Sequence, residues 1–98
     1  MKLPITFRNV AKLELAESAE RYEQQKEGLG LDFVAHVKDV LDEIASNPRR
    51  YPIVFGDTRK GIVSKFPYCV YYRVKADRIV VTAVFHSSRD PAEWQKRK

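Results

Sequence analysis

GIVSKFPYCVYYRVKADRIVVTAVFHSSRDP, residues 61–91, is the densest concentration of β-branched and aromatic side chains in a 98-residue chain. Two runs within it, Cys69 to Val74 and Ile79 to Phe85, are apolar on both faces, the pattern of central strands in a covered sheet. Ala76-Asp77 links them as a short hairpin. Upstream, Arg59 to Phe66 alternates, with Ile62, Ser64 and Phe66 on one side and Gly61, Val63 and Lys65 on the other, and Pro67 closes the turn. The stretch therefore predicts an antiparallel sheet that buries one face under helices and carries positive side chains at its margins.

Working outward, Pro48 to Pro52 is a connector, Ile53 to Phe55 a weak strand, and Gly56-Asp57 a turn. Before them lie two amphipathic helices. The first runs from an Asn9 N-cap to about Glu27, with Ala11, Leu15, Ala19 and Tyr22 at helical spacing and Glu17 placed to pair with Arg21. Gly28-Leu29-Gly30 breaks it. Asp32 caps the second helix, whose stripe of Phe33, Val37, Val40, Leu41 and Ile44 is wider and which ends near Asn47-Pro48. So short a link forces an antiparallel hairpin. Lys2 to Arg8 reads as an edge strand, because Pro4 cannot donate a ladder bond. After the last strand, the serines or Asp90 cap a short helix with Pro91 in its first turn.

The predicted fold is one α+β domain over residues 1–98: an N-terminal edge strand, an antiparallel helical hairpin packed on a three- to four-stranded antiparallel sheet, and a short C-terminal helix. Its expected core contains Leu15, Ala19, Phe33, Val37, Leu41, Ile44, Val70, Tyr72, Val81, Ala83 and Phe85. A single cysteine, Cys69, leaves no internal disulfide and fits a reducing compartment. No apolar run has the length of a bilayer span or of a signal peptide, so a soluble cytoplasmic protein with no membrane partner is expected.

Net charge is +5, unevenly divided. Residues 1–48 carry six Lys and Arg against nine Asp and Glu; residues 49–98 carry twelve against four. The sheet half is thus matched to something anionic, a nucleic acid or an acidic protein segment. Neither a metal-ligand set nor a cofactor motif is present: His36 and His86 are far apart, and no glycine-rich phosphate loop or nucleophile elbow occurs. His36 falls among polar neighbours and reads as a surface residue. What remains is a basic and aromatic set: Arg59, Lys60, Lys65, Arg73, Arg78, His86, Arg89, Trp94 and the tail Lys96-Arg97-Lys98. Two uses suit it. Metal-free RNA cleavage needs a base, an acid and cations around the phosphate, for which His86, Arg89, Lys65 and Arg73 are the candidates. A binding surface needs cations around an aromatic anchor, for which Arg89, Trp94, Lys96 and Arg97 are the candidates.

Asn47-Pro48, Phe66-Pro67-Tyr68 leading into Val70-Tyr71-Tyr72-Arg73-Val74, and Val84-Phe85-His86 followed by Arg89-Asp90-Pro91 and Trp94 together resemble the ParE/RelE superfamily of type II toxin-antitoxin toxins. The likeness spans nearly the whole chain. It implies a cognate antitoxin partner whose C-terminal segment wraps the toxin over the groove between helices and sheet. RelE-like members are ribosome-dependent messenger-RNA endonucleases. This chain matches them at Arg89, but has Cys69 where they carry an arginine and Trp94 where they carry a tyrosine. A thiol holds no fixed positive charge and an indole N–H is no acid or base near neutrality. The residues therefore favour the ParE-like branch, which binds and poisons DNA gyrase and is not a nuclease; the endonuclease reading, with His86 as acid or base, is the alternative.

Overall fold

The computed structural model describes residues 2–97. Its elements are β1 (Ile5–Phe7), α1 (Asn9–Gln25), α2 (Leu29–Ser46), β2 (Ile53–Phe55), β3 (Thr58–Ile62), β4 (Tyr68–Val74), β5 (Ile79–His86) and α3 (Ala92–Gln95). The α+β architecture is the expected one. The sheet runs β1-β5-β4-β3-β2, and β2 through β5 form the antiparallel meander. To it β1 adds a parallel fifth strand, Ile5 opposite Ile79 and Phe7 opposite Val81, so the sheet is mixed. The helical hairpin carries the chain from β1 at one edge of the sheet to β2 at the other, and the meander then returns it to β5 beside β1.

Both helices begin where local signals did not place them. Asn9 is the first helical residue, not the cap. Arg8 holds the N-cap position because its N–H bonds Val81 O at 2.9 Å while its carbonyl accepts from Ala11 and Lys12. The last ladder residue of the strand is thus also the helix start. Likewise α2 starts before Asp32, at Leu29, after Gly28 in the left-handed region at φ 87°. Its N-terminal N–H groups are satisfied from α1: the Glu23 carboxylate accepts from Gly28 N at 2.9 Å and Gly30 N at 3.0 Å. A Cβ at Gly30 would stand 2.5 Å from Ala19 O, so the close approach of the two helices requires glycine there. Arg21 does not take up Glu17; its guanidinium turns to Ser18 and Tyr68.

The principal core lies between the hairpin and one sheet face. Phe33, Val37, Val40 and Ile44 pack on Val63, Tyr68, Val70, Tyr72, Ile79, Val81 and Val84. Leu15, Ala19 and Leu41 line its margin, half-buried. Tyr72 is wholly buried and donates to Pro48 O at 2.7 Å, which ties the α2–β2 connector to the sheet. Arg59 donates to Arg49 O and Tyr51 O on the same connector.

A bulge in β5 changes which residues share this core. Tyr71 pairs with Ala83 but Tyr72 with Val81, leaving Thr82 as the extra residue. Past it the alternation is reversed. Ala83 and Phe85, expected in the same core as Val81, are buried on the opposite face with Cys69, Tyr71 and Trp94. The sheet therefore buries both faces, where the sequence reading expected one. α3 closes the second.

Candidate functional site

The outer sheet face is built by α3. Pro91 holds the N-cap position of α3, one residue before the first turn where it was expected, and Asp90 Oδ1 accepts the Ala92 N–H at 3.0 Å; Trp94 then lies flat on Tyr71 with ring centroids 4.0 Å apart. Phe55 meets the indole edge-on. Trp94 is only 3% exposed, so it is a core side chain of this face and not the exposed anchor expected. Its Nε1–H, fully enclosed, has no hydrogen-bond partner among the described residues. Beneath it, burial pushes the Cys69 thiol above its ordinary range, an effect Lys60 only partly offsets. Cys69 is thus held as the neutral thiol.

Around this aromatic floor sit two guanidinium groups. Arg89 stacks over the Phe85 ring at 3.9 Å and ion-pairs with Glu93; Arg97 approaches the same ring at 5.3 Å. Arg97 is also joined to Glu14 of α1 by two bonds of 2.9 Å. Lys96 is exposed, and Lys98 lies outside the described residues.

The four candidate nuclease groups are not brought together. His86 points to the hairpin side, edge-on to Tyr68 at 5.2 Å, while Arg89 lies on the outer face with Phe85. Arg73 pairs with Val80, six residues from His86 along β5 and about 20 Å away at the usual strand rise. It is held by Asp57 through bonds of 2.7 and 3.1 Å. Lys65 occupies the β3–β4 turn with φ 67°, exposed.

Charge is redistributed by the fold. Arg73, Arg78, Arg89 and Arg97 all have acidic partners. Among the described residues of the second half, the cations with no carboxylate within 4 Å are Arg49, Arg50, Arg59, Lys60, Lys65, Lys75 and Lys96.

A groove between helices and sheet, implied by the family resemblance, is present, and its residues are ones the sequence reading did not assign. Between α2 and the β2–β3 edge runs a groove of about 460 Å³ with Val40, Tyr51, Val54 and Ile62 along it and Asp39, Glu43 and Lys60 at its rim. β2 covers β3 only as far as Thr58 and Arg59, plus a bond from Lys60 N to Pro52 O, so the Ile62 end of β3 is an open strand edge. Ile62 is 69% exposed, and Ile53, Val54 and Phe55 are exposed beside it. Sparse alternation in β2 and β3 was the available signal: two strands with apolar residues on the solvent side.

Residues 5–91 match the sequence model of the family described as ParE toxin of type II toxin-antitoxin system, parDE. The chain belongs to the ParE toxin family. Among solved structures, one titled as a chromosomal ParDE TA system from P. aeruginosa superposes with a TM-score of 0.74, covering 87% of this chain and 96% of that one at 14% identity. At that identity the likeness establishes the shared fold. No curated protein sequence matches the chain closely enough to count as a relative. Family membership implies an antitoxin partner. Among the described residues of this ParE-family chain no helix is long and apolar enough to cross a membrane.

Proposed function

We propose that this ParE-family chain is a growth-arresting toxin that acts in the cytoplasm by binding DNA gyrase, and that its cognate antitoxin silences it by occupying the groove between α2 and the β2–β3 edge. The observation that carries binding over catalysis is the separation of His86, Arg89 and Arg73 onto two faces and two ends of the sheet, with a neutral Cys69 between them. Phosphoryl chemistry draws its rate from groups that converge on one phosphate, and losing several of them together leaves little catalysis. The gyrase contact is assigned to the outer-face margin, where Arg89 and Lys96 are exposed beside the α3 rim. Trp94 serves that surface by holding α3 in place.

Neutralisation is supported by the apolar surface left open. Leu13, Leu31 and Val34 are exposed on the hairpin, and the groove beside α2 offers both apolar side chains and an unpaired strand edge. An antitoxin segment with an apolar strand and acidic flanks would complete the sheet at Ile62 and meet Lys60. Expression in bacteria tests the target: double-strand DNA breaks with an SOS response are expected, unchanged by His86→Ala. Prompt cleavage of transcripts, abolished by His86→Ala with DNA intact, would overturn the reading in favour of the endonuclease.

A further inference from the structure

On the hairpin side of the sheet, at the end of β5, Ser18, Arg21, Tyr22 and Gln25 of α1 face Tyr68 and His86 across a cavity of about 180 Å³. We propose that this cavity is an oxyanion site that takes a phosphate group. It lies on the opposite sheet face from Arg89 and apart from the α2–β3 groove, so it belongs to neither surface assigned above.

Its lining holds donors and no carboxylate. Arg21 Nη2 donates to Ser18 Oγ at 3.2 Å and to Tyr68 Oη at 3.4 Å, two long bonds to neutral oxygens. No carboxylate lies within 4 Å of this guanidinium among the described residues, although Glu17 is one turn away on the same helix. Its positive charge is uncompensated. Ser18 and Tyr68 are themselves almost fully buried, so their hydroxyls are fixed by packing. His86 Nδ1 accepts the Ser88 N–H at 3.1 Å, which places the proton of the neutral ring on Nε2 and makes it another donor. Gln25 supplies an amide at the rim.

A guanidinium, two hydroxyls, an imidazole N–H and an amide arranged around one small space complement a tetrahedral anion with several acceptor oxygens. A phosphate fits that donor count. Free phosphate and the terminal phosphate of a nucleotide present the same chemistry, and the cavity's size confines recognition to the phosphate itself.

The test is a titration of the full chain with inorganic phosphate and, in parallel, with a nucleoside 5′-monophosphate, followed by NMR at the Ser18, Tyr68 and His86 amides and by calorimetry. Saturable shifts at these three positions are expected with phosphate. Arg21→Gln should weaken binding about tenfold or more, the loss expected for a charge-assisted bond. Tyr68→Phe, which keeps the ring and its packing, should weaken it by a smaller factor, and Lys38→Gln, an exposed cation of α2 outside the cavity, should leave it unchanged. A response to both probes identifies a phosphate group as the common ligand, and a response to inorganic phosphate alone identifies the free ion. A response to the nucleotide alone, shifts that survive both Arg21→Gln and Tyr68→Phe, shifts reproduced by chloride at equal ionic strength, or no shift at all would each overturn the assignment.

Discussion

Arg97 and Glu14, 83 residues apart, form a two-bond ion pair that also finishes the sheet. β1 ends at Phe7, and beyond the Arg8 contact the outer edge of β5 has no strand beside it. There Glu14 Oε1 accepts the Val84 N–H at 3.1 Å and Arg97 Nη1 donates to Thr82 O at 3.1 Å. Two side chains thus stand in for the missing strand, and the bulge at Thr82 presents the carbonyl that Arg97 takes. The same pair fastens the C-terminal segment to α1.

Breaking this pair is expected to cost stability. Side-chain exposure is 19% for Arg97 and 12% for Glu14, well below that of an ordinary surface pair. Arg97→Ala leaves the Glu14 carboxylate half-satisfied and frees Thr82 O, so a loss of about 1–3 kcal/mol is expected in urea unfolding. A double-mutant cycle with Glu14→Gln should return a coupling of about 1 kcal/mol or more. Additive losses would show that the two residues act separately.

Trp94 should behave as a core residue. Trp94→Ala empties the Tyr71 stack and should cost about 3–5 kcal/mol. Trp94→Phe should recover more than half of that, because the buried indole N–H makes no bond whose loss would be felt. Alkylation of buried Cys69 supplies an independent readout. Its thiol should react slowly in the native chain and much faster in Trp94→Ala, since α3 is what covers that face. Equal rates in the two proteins would place the protection elsewhere.

Alkaline pH should unfold the protein through two tyrosines. Burial, with the Glu43 bond at Tyr51, pushes Tyr51 up to about 12, and burial does the same for Tyr72, both from an ordinary 10. Each group loses its proton more easily in the unfolded chain. The stability they contribute is therefore complete below pH 10 and lost as pH rises through about 12. Urea midpoints across that window should fall, and Tyr72→Phe should flatten the decline while losing the bond to Pro48 O.

The groove beside α2 should separate neutralisation from toxicity. Ile62→Glu places a charge on an exposed side chain, so native stability should shift by no more than about 0.5 kcal/mol. Binding of the antitoxin should weaken at least about tenfold, while growth arrest by the toxin alone persists. Pulldown and a co-expression growth assay read the two effects. Undiminished neutralisation would remove the groove from the antitoxin interface.

The sequence by itself determined what short-range physics controls. Apolar residues three and four apart define the two helices, Phe33 through Ile44 above all, and the unbroken apolar runs of Cys69 to Val74 and Ile79 to Phe85 define the central strands. Two glycines in three residues mark the hairpin. Tertiary structure decided what depends on distant partners. One extra residue at Thr82 reverses the strand alternation, which sends His86 toward α1 and Phe85, with Arg89 over it, toward α3. No local pattern announces a bulge, because the period of side chains on either side of it is unchanged. The caps follow the same rule: Glu23 satisfies α2 from another helix, and Glu14 meets Arg97 only after the whole sheet has formed. Residues that read as one basic surface therefore end as an ion pair, a buried stack and a donor-lined cavity, because side-chain partners are chosen by proximity in the fold and not by proximity along the chain.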